Sequence, residues 1–209
     1  HRQIATVLEA RFPGIAETEP EVLARHYTEA GLPAQAIPYW ERAGERAIQR
    51  SAHMEAISHL TKGLEVLKAL PDTPERTQQE LVLQTTLGSS LMATKGYAAP
   101  EVEHAYARAL ELCQQVGDTP QLFPVLRGLT YVHIVRAEFQ TARRLGEQLL
   151  NLAQRTQEPQ LLLFAHHHLA GILFHLGELA PARALLEQGL ALYNPLQHRS
   201  LVVMYGQDP

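Results

Sequence analysis

The sequence predicts an all-α protein, a right-handed α-solenoid of antiparallel helix pairs, and three observations carry that prediction. First, residues 137–152 recur 40 residues on as 177–192, with Glu138, Ala142, Arg143, Leu145, Glu147, Gln148, Leu150 and Leu152 matched by Glu178, Ala182, Arg183, Leu185, Glu187, Gln188, Leu190 and Leu192. A period of this length built from two helices buries its apolar stripe only by stacking on the next unit. Second, Pro20, Pro33, Pro74, Pro100, Pro120, Pro159 and Pro181 precede or open apolar-periodic segments. There a missing N–H costs nothing, because the first donors of a helix lack partners anyway. Third, almost no run alternates apolar and polar residues as a strand does.

The elements follow in order. An amphipathic stretch through Leu8-Glu9-Ala10-Arg11 predicts a helix over about 2–11. Pro20 and Pro33 open helices over about 19–31 and 34–50, and Ser51 precedes one over about 52–70. Asp72-Thr73 then Pro74 start about 74–95, Pro100 starts about 99–117, and Asp118-Thr119 then Pro120 start about 120–136. The repeat places helices over about 138–156, 159–176, with Thr156 and Pro159 at the turn, and 179–193. Pro38 and Pro124 fall within the first turn or so of their helices, where proline is tolerated.

Within the pairs a second spacing appears. Ala36-Trp40-Ala43, Ala56-Leu60-Gly63 and Ala182-Leu186-Gly189 place small, large and small residues at i, i+4 and i+7; Val102-Tyr106-Ala109 and Ala142-Gly146-Leu149 do so with departures. These positions share one helix face, so small groups admit a neighbouring helix while a large one fills the gap. The preceding helices carry Leu23-Ala24-x2-Tyr27, Leu87-Gly88-x2-Leu91, Leu129-Thr130-x2-His133 and Leu169-Ala170-x2-Leu173, with Gly31, Gly96, Ala137 and Gly177 near the turns.

On these residues, over roughly 19–193, the chain resembles the tetratricopeptide repeat family. Its 40-residue period exceeds the roughly 34 of that family and is similar to the helical repeats of MalT-like signalling ATPases. Ala36 to Ala56 is only 20 residues, so the helix at 34–50 closes one pair while opening the next. Segments such as Glu21-Val22-Leu23-Ala24-Arg25-His26-Tyr27, Tyr39-Trp40-Glu41-Arg42-Ala43-Gly44 and Ala93-Thr94-Lys95-Gly96-Tyr97 resemble the C-terminal repeat region of large bacterial predicted ATPases. The resemblance implies an upstream ATPase domain, often with a class III nucleotide cyclase domain before it. It further implies that residues 1–17 are the terminal helix of, or linker from, a preceding domain. The repeat array then occupies 18–193, and 194–209 are a linker into a further repeat. The chain reads as a fragment, beginning at His1 rather than Met.

Composition narrows the function classes. The 18 Lys and Arg against 22 Asp and Glu make no positive field for a phosphate backbone, so nucleic acid is not an expected partner. Cys113 is the single cysteine, which excludes an internal disulfide and favours a cytoplasmic location. Apolar runs such as 161–165 and 201–204 fall far short of the roughly 20 residues of a membrane span, and no signal peptide opens the chain.

The search for chemistry leaves few candidates. No phosphate-binding Gly-x4-Gly-Lys-Ser/Thr loop and no Gly-x-Ser-x-Gly elbow are present, so no catalytic residue and no cofactor are expected. Cys113, in an apolar helical run, is expected to pack rather than react. His166-His167-His168, with His175 beyond, lacks the i,i+3 or i,i+4 pair that one helix needs to hold a metal, so no metal is expected. One of these rings is expected to pack or hydrogen-bond between helices while the others face a groove or solvent. Arg136, Arg143 and Arg144 make a local positive spot beside Glu138 and Glu147, read as surface charge.

Aligned on Leu87, Leu129 and Leu169, the family's groove register implies a concave face lined by Thr85, Ser89, Arg127, Tyr131, Phe164, His167 and His175. Aromatic groups with one cation and several hydrogen-bonding groups suit a peptide or a small polar ligand; a solvated inner face without a ligand is the plain alternative. The expected function is a non-catalytic interaction and regulatory scaffold that binds a protein or peptide partner, or other domains of its own chain. The alternative is a small-molecule effector sensor with a closed aromatic pocket around Tyr131, Phe164 and His175.

Overall fold

The computed structural model describes residues 1–12 and 14–193; the expected linker at 194–209 lies outside them. Among the described residues the chain is all-helical, with 82% of positions in α-helix and no strand, which settles the class. The helices are α1 (Arg2–Arg11), α2 (Ile15–Thr18), α3 (Pro20–Glu29), α4 (Pro33–Gln49), α5 (His53–Leu67), α6 (Pro74–Lys95), α7 (Pro100–Val116), α8 (Leu122–Val135), α9 (Phe139–Thr156), α10 (Pro159–His175) and α11 (Leu179–Leu192). Every helix expected from the sequence is present to within about three residues. The short α2 has no counterpart, because four residues carry no period to read. The helices fall into two compact units, His1–Leu122 and from Phe123 on.

In the first unit, consecutive helices pack on one another from α3 to α7. Helix α4 serves two cores. Its Ala36 and Trp40 join Ala5, Leu23, Ala24 and Tyr27, while its Ile37 and Ala47 join Ala56, Leu60, Leu67 and Leu83. This is the double use of one helix that the 20-residue interval between Ala36 and Ala56 implies. Helix α1, expected to belong with a preceding domain or linker, contributes Ala5 to the first of these cores. Its Glu9 carboxylate accepts hydrogen bonds from both Tyr27 and Tyr39 hydroxyls. Burial, then the bond to Glu9, raises both phenols, Tyr39 to about 12.

Four helix ends share one backbone device. The residues Gly31, Ser51, Ala137 and Gly177 take φ of 67, 58, 59 and 79°. The next N–H in each case reaches five residues back, as Leu32 to Tyr27, Ala52 to Ala47, Glu138 to His133 and Glu178 to Leu173 (2.8–3.0 Å). That pairing satisfies carbonyls that the helix end leaves open. Two residues later the following helix begins. Ser51 is therefore a left-handed turn residue, and α5 starts without a side-chain cap. Thr73 does cap, its Oγ1 accepting from the Arg76 N–H at 3.2 Å. The Thr119 hydroxyl bonds Gln121 at the start of α8, whereas Thr156 turns back onto the Ala153 carbonyl of its own helix. Pro38 corrects the sequence reading: it is the sixth residue of α4, past the free donors, so one bond to the Ala34 carbonyl is missing.

Small residues mark close approaches, and this yields a paired prediction. A Cβ built on Gly88 of α6 would stand 2.8 Å from Cζ of Tyr106, a ring only 2% exposed on α7. Gly88→Ala is expected to cost up to about 2 kcal/mol net, overpacking of about 1–3 kcal/mol being offset by the roughly 1 kcal/mol helical gain. Gly171→Ala on α10 meets nothing within 4 Å and should stabilise by about 0.5–1 kcal/mol. Urea unfolding of the two variants measures both signs.

Candidate functional site

The second unit holds the aromatic and cationic residues that the sequence singles out. Arg127 and Tyr131 lie one turn apart on α8, which brings their side chains onto one face, and Arg127 Cζ sits 5.9 Å from the Tyr131 ring centroid. On α10, Phe164 and His168 have the same i,i+4 relation, with ring centroids 6.5 Å apart. His168 joins the two helices, because its ring meets the edge of Tyr131 at 4.6 Å and 74°.

The protonation of His168 follows from its neighbours. It is 3% exposed, and Nδ1 lies 2.7 Å from the Phe164 carbonyl, an acceptor only, so Nδ1 carries the proton. Nε2 is then a bare acceptor, with no hydrogen-bond partner among the described residues. Burial first, and the charge of Arg127 after it, push this imidazole down to about 3 against the pull of the Phe164 carbonyl. It is neutral at any ordinary pH. His166 faces the other way, its Cβ 3.5 Å from where a Cβ on Gly189 of α11 would stand, and burial lowers it too. Two of the three adjacent histidines are therefore buried, where one was expected. His167 is exposed, with its ring 5.8 Å from that of His168.

The seven residues of the expected groove meet different fates. Arg127 and Tyr131 lie together beside the buried His168, while His167 is exposed on α10 and borders a concavity with Leu186 and Leu190 of α11. Phe164 is 2% exposed and lies in the core beneath it. His175 is exposed and stacks on Phe139 at 5.0 Å and 10°, at the turn end of α10. Thr85 and Ser89 belong to α6 in the first unit, with hydroxyls donated to the Leu81 and Thr86 carbonyls of their own helix. The His168 ring packs against both Tyr131 and Phe164, and His175 stacks on Phe139 instead of meeting them. The signal for His168 was available in its i+4 spacing from Phe164, but three consecutive histidines give no sign of which one turns inward.

The other candidates are structural. Arg143 is paired with Glu147 at 3.0 Å and with Glu178 at 2.7 Å, which balances its charge, while Arg144 donates to the neutral Thr141 hydroxyl. Arg183 and Glu187 repeat the Arg143–Glu147 pair 40 residues on, at 2.7 Å. Cys113 is 3% exposed, with burial raising its thiol to about 11, so it packs as a small apolar group. Among the described residues no group of His, Cys, Asp or Glu is placed to hold a metal ion, and no helix is long and apolar enough to cross a membrane.

Comparison with known structures bears on this arrangement. The crystal structure of BtubC (BKLC) from P. vanneervenii matches 99% of this chain and 89% of its own with a TM-score of 0.69, at 14% sequence identity. The chain is a helical repeat domain. At that identity the likeness carries the fold alone. An uncharacterized protein of Rhizobium meliloti (strain 1021) is 25% identical over 196 residues, 93% of this chain. The repeat domain spans only 19% of that protein's length. No protein-family model matches the chain.

Proposed function

We propose that this repeat domain is a non-catalytic interaction scaffold that holds a protein or peptide segment at Arg127 and Tyr131. One observation carries the reading: the Arg127 guanidinium lies over the Tyr131 ring, and that ring is held by the buried His168, with the exposed His167 next to it in sequence on α10. A half-buried guanidinium held over an aromatic face has little side-chain entropy left to lose when a partner meets it. That suits the carboxylates, carbonyls and rings of a peptide, and Arg and Tyr are favoured anchors of protein interfaces. The finer architecture we assign is a right-handed stack of antiparallel helix pairs, tetratricopeptide-like in its small-large-small spacing.

The resemblance to the repeat regions of bacterial predicted ATPases supports a wider setting. There the domain is the cytoplasmic arm of a multidomain signalling ATPase or nucleotide cyclase, passing partner binding to catalytic domains elsewhere in the chain. The partner is a protein, and neither nucleic acid nor a membrane is engaged. The test is a pull-down with quantitative binding of the captured partner. Arg127→Glu is expected to weaken binding about 30-fold, the loss of one interface anchor of about 2 kcal/mol, with the helical content unchanged. A captured protein that binds the variant equally well defeats this placement. Saturable binding of a metabolite at Arg127, seen as a thermal shift, would replace the scaffold with an effector sensor.

A further inference from the structure

The last helix of the second unit carries an uncovered stripe. Leu179, Arg183, Leu186 and Leu190 of α11 follow one another at intervals of four, three and four, the spacing that keeps side chains on one helix face and, in coiled coils, along the seam. The three leucines are 60, 45 and 71% exposed. Leu186 therefore does not fill the gap that its small-large-small spacing implies, and with Leu190 it borders a concavity of about 340 Å³ whose other wall is Leu163 and His167 of α10.

One period back, the same stripe is a seam between helices. Its members there are Phe139, Arg143, Gly146 and Leu150 of α9. Phe139 stacks on His175, a Cβ on Gly146 would lie 3.1 Å from Ile172 Cδ1, and Leu150 packs on the cluster of Leu169, Leu173 and Ala182. Arg143 holds two carboxylates, Glu147 of its own helix and Glu178 from outside it. Arg183 holds Glu187 of its own helix, and no second carboxylate reaches it among the described residues; its side chain is 82% exposed. A cover for α11 must therefore bring apolar side chains and one carboxylate.

Helix α11 carries both itself. When it is laid antiparallel on a second α11, Leu179 stands opposite Leu190 and Arg183 opposite Leu186, two pairings that share one midpoint between Ala184 and Leu185. The Arg183 stem then covers Leu186 of the second copy while its guanidinium runs on to Glu187 of that copy. Two-fold symmetry forms each of these contacts twice, and Leu179 of the second copy comes to rest beside Leu190 at the concavity. The helix is already folded within its unit, so the seam carries no cost of helix formation.

We propose that two copies of this chain associate through α11, antiparallel, with Leu179, Leu186 and Leu190 in the seam and Arg183 paired across it to Glu187. The interface rests on the repeat and not on the reading of Arg127 and Tyr131. Sedimentation equilibrium of the full 209-residue chain tests it, and the expected result is a monomer–dimer equilibrium of roughly micromolar affinity, since two heptads make a small interface. Leu186→Asp is expected to weaken the dimer at least about 100-fold, each dimer losing two leucines. Arg183→Glu and Glu187→Arg are each expected to weaken it about 10-fold, with helical content unchanged because both side chains face solvent in the single chain. Mixed in equal amounts, these two variants are expected to associate as tightly as the parent, because a doubly acidic helix then meets a doubly basic one. The proposal is overturned if the parent stays monomeric up to about 1 mM, which leaves α11 to a different neighbour. It is equally overturned if Leu186→Asp still dimerises, if association runs on past the dimer, or if mixing the charge variants restores nothing.

Discussion

Trp40→Ala is expected to cost the first unit about 3–5 kcal/mol, a large part of the 5–15 kcal/mol that holds a domain together. Three kinds of contact are lost at once. The indole is 3% exposed in the core formed with Ala5, Leu23, Ala24, Tyr27 and Ala36. Its Nε1 donates to Thr28 Oγ1 at 3.0 Å, and that hydroxyl in turn donates to the Ala24 carbonyl at 2.8 Å. Its ring stacks on His59 at 5.6 Å, and its Cβ lies 3.2 Å from where a Cβ on Gly63 would stand, so α5 is fitted to it. Since α4 joins two cores, the void weakens the contacts of both α3 and α5. Trp40→Phe separates the contributions. It keeps much of the apolar area but leaves Thr28 without its donor, for an expected loss of about 1–2 kcal/mol from the hydrogen bond alone. Hydrogen exchange of amides in α3, α4 and α5 reads the effect within the unit. Unchanged protection there in Trp40→Ala would show that the indole does not organise this core.

The same residue shows why so much of the fold was legible. Ala36-Trp40-Ala43 announces a large side chain between two small ones, and proline before each apolar period announces the helix starts; both are local signals, readable from neighbours in the chain. Gly31 and Gly177 were equally plain. Ala137 could be placed only because the repeat aligned it with Gly177, and its left-handed φ of 59° is a conformation alanine seldom adopts. What failed to show was contact between distant stretches. Nothing near Glu9 signals that it is shared by Tyr27 and Tyr39, and so the sequence set α1 apart from the core that it helps to build. The burial of Phe164 was hidden for a related reason. Register on one helix fixes which residues share a face, yet whether Phe164 lines a surface or lies under one depends on what α8 brings against it.

Acid is expected to loosen the second unit from behind the Arg127–Tyr131 surface. The sign follows from His168: its folded pKa, about 3, lies below the ordinary 6.5, so between those values the unfolded chain binds a proton that the folded chain refuses. The stability it contributes is complete above about pH 6.5 and falls as pH drops toward 3. At pH 5 the loss is about 2 kcal/mol, from roughly 1.5 pKa units at 1.36 kcal/mol each. His166, also lowered by burial, adds a loss of the same sign. His168→Leu keeps an apolar side chain in the site and removes the titration. Its stability should therefore fall less than the parent's between pH 7 and pH 5, by about 2 kcal/mol in urea titrations at the two pH values. Carboxylates protonated in acid act alike in both proteins and cancel in the comparison. Equal losses in parent and variant would mean that the buried imidazole accepts its proton in place. The consequence reaches function through geometry. Folded molecules keep His168 neutral and packed on Tyr131 down to about pH 3, so partner binding at this surface is expected to fall only as the second unit unfolds, and not ahead of it.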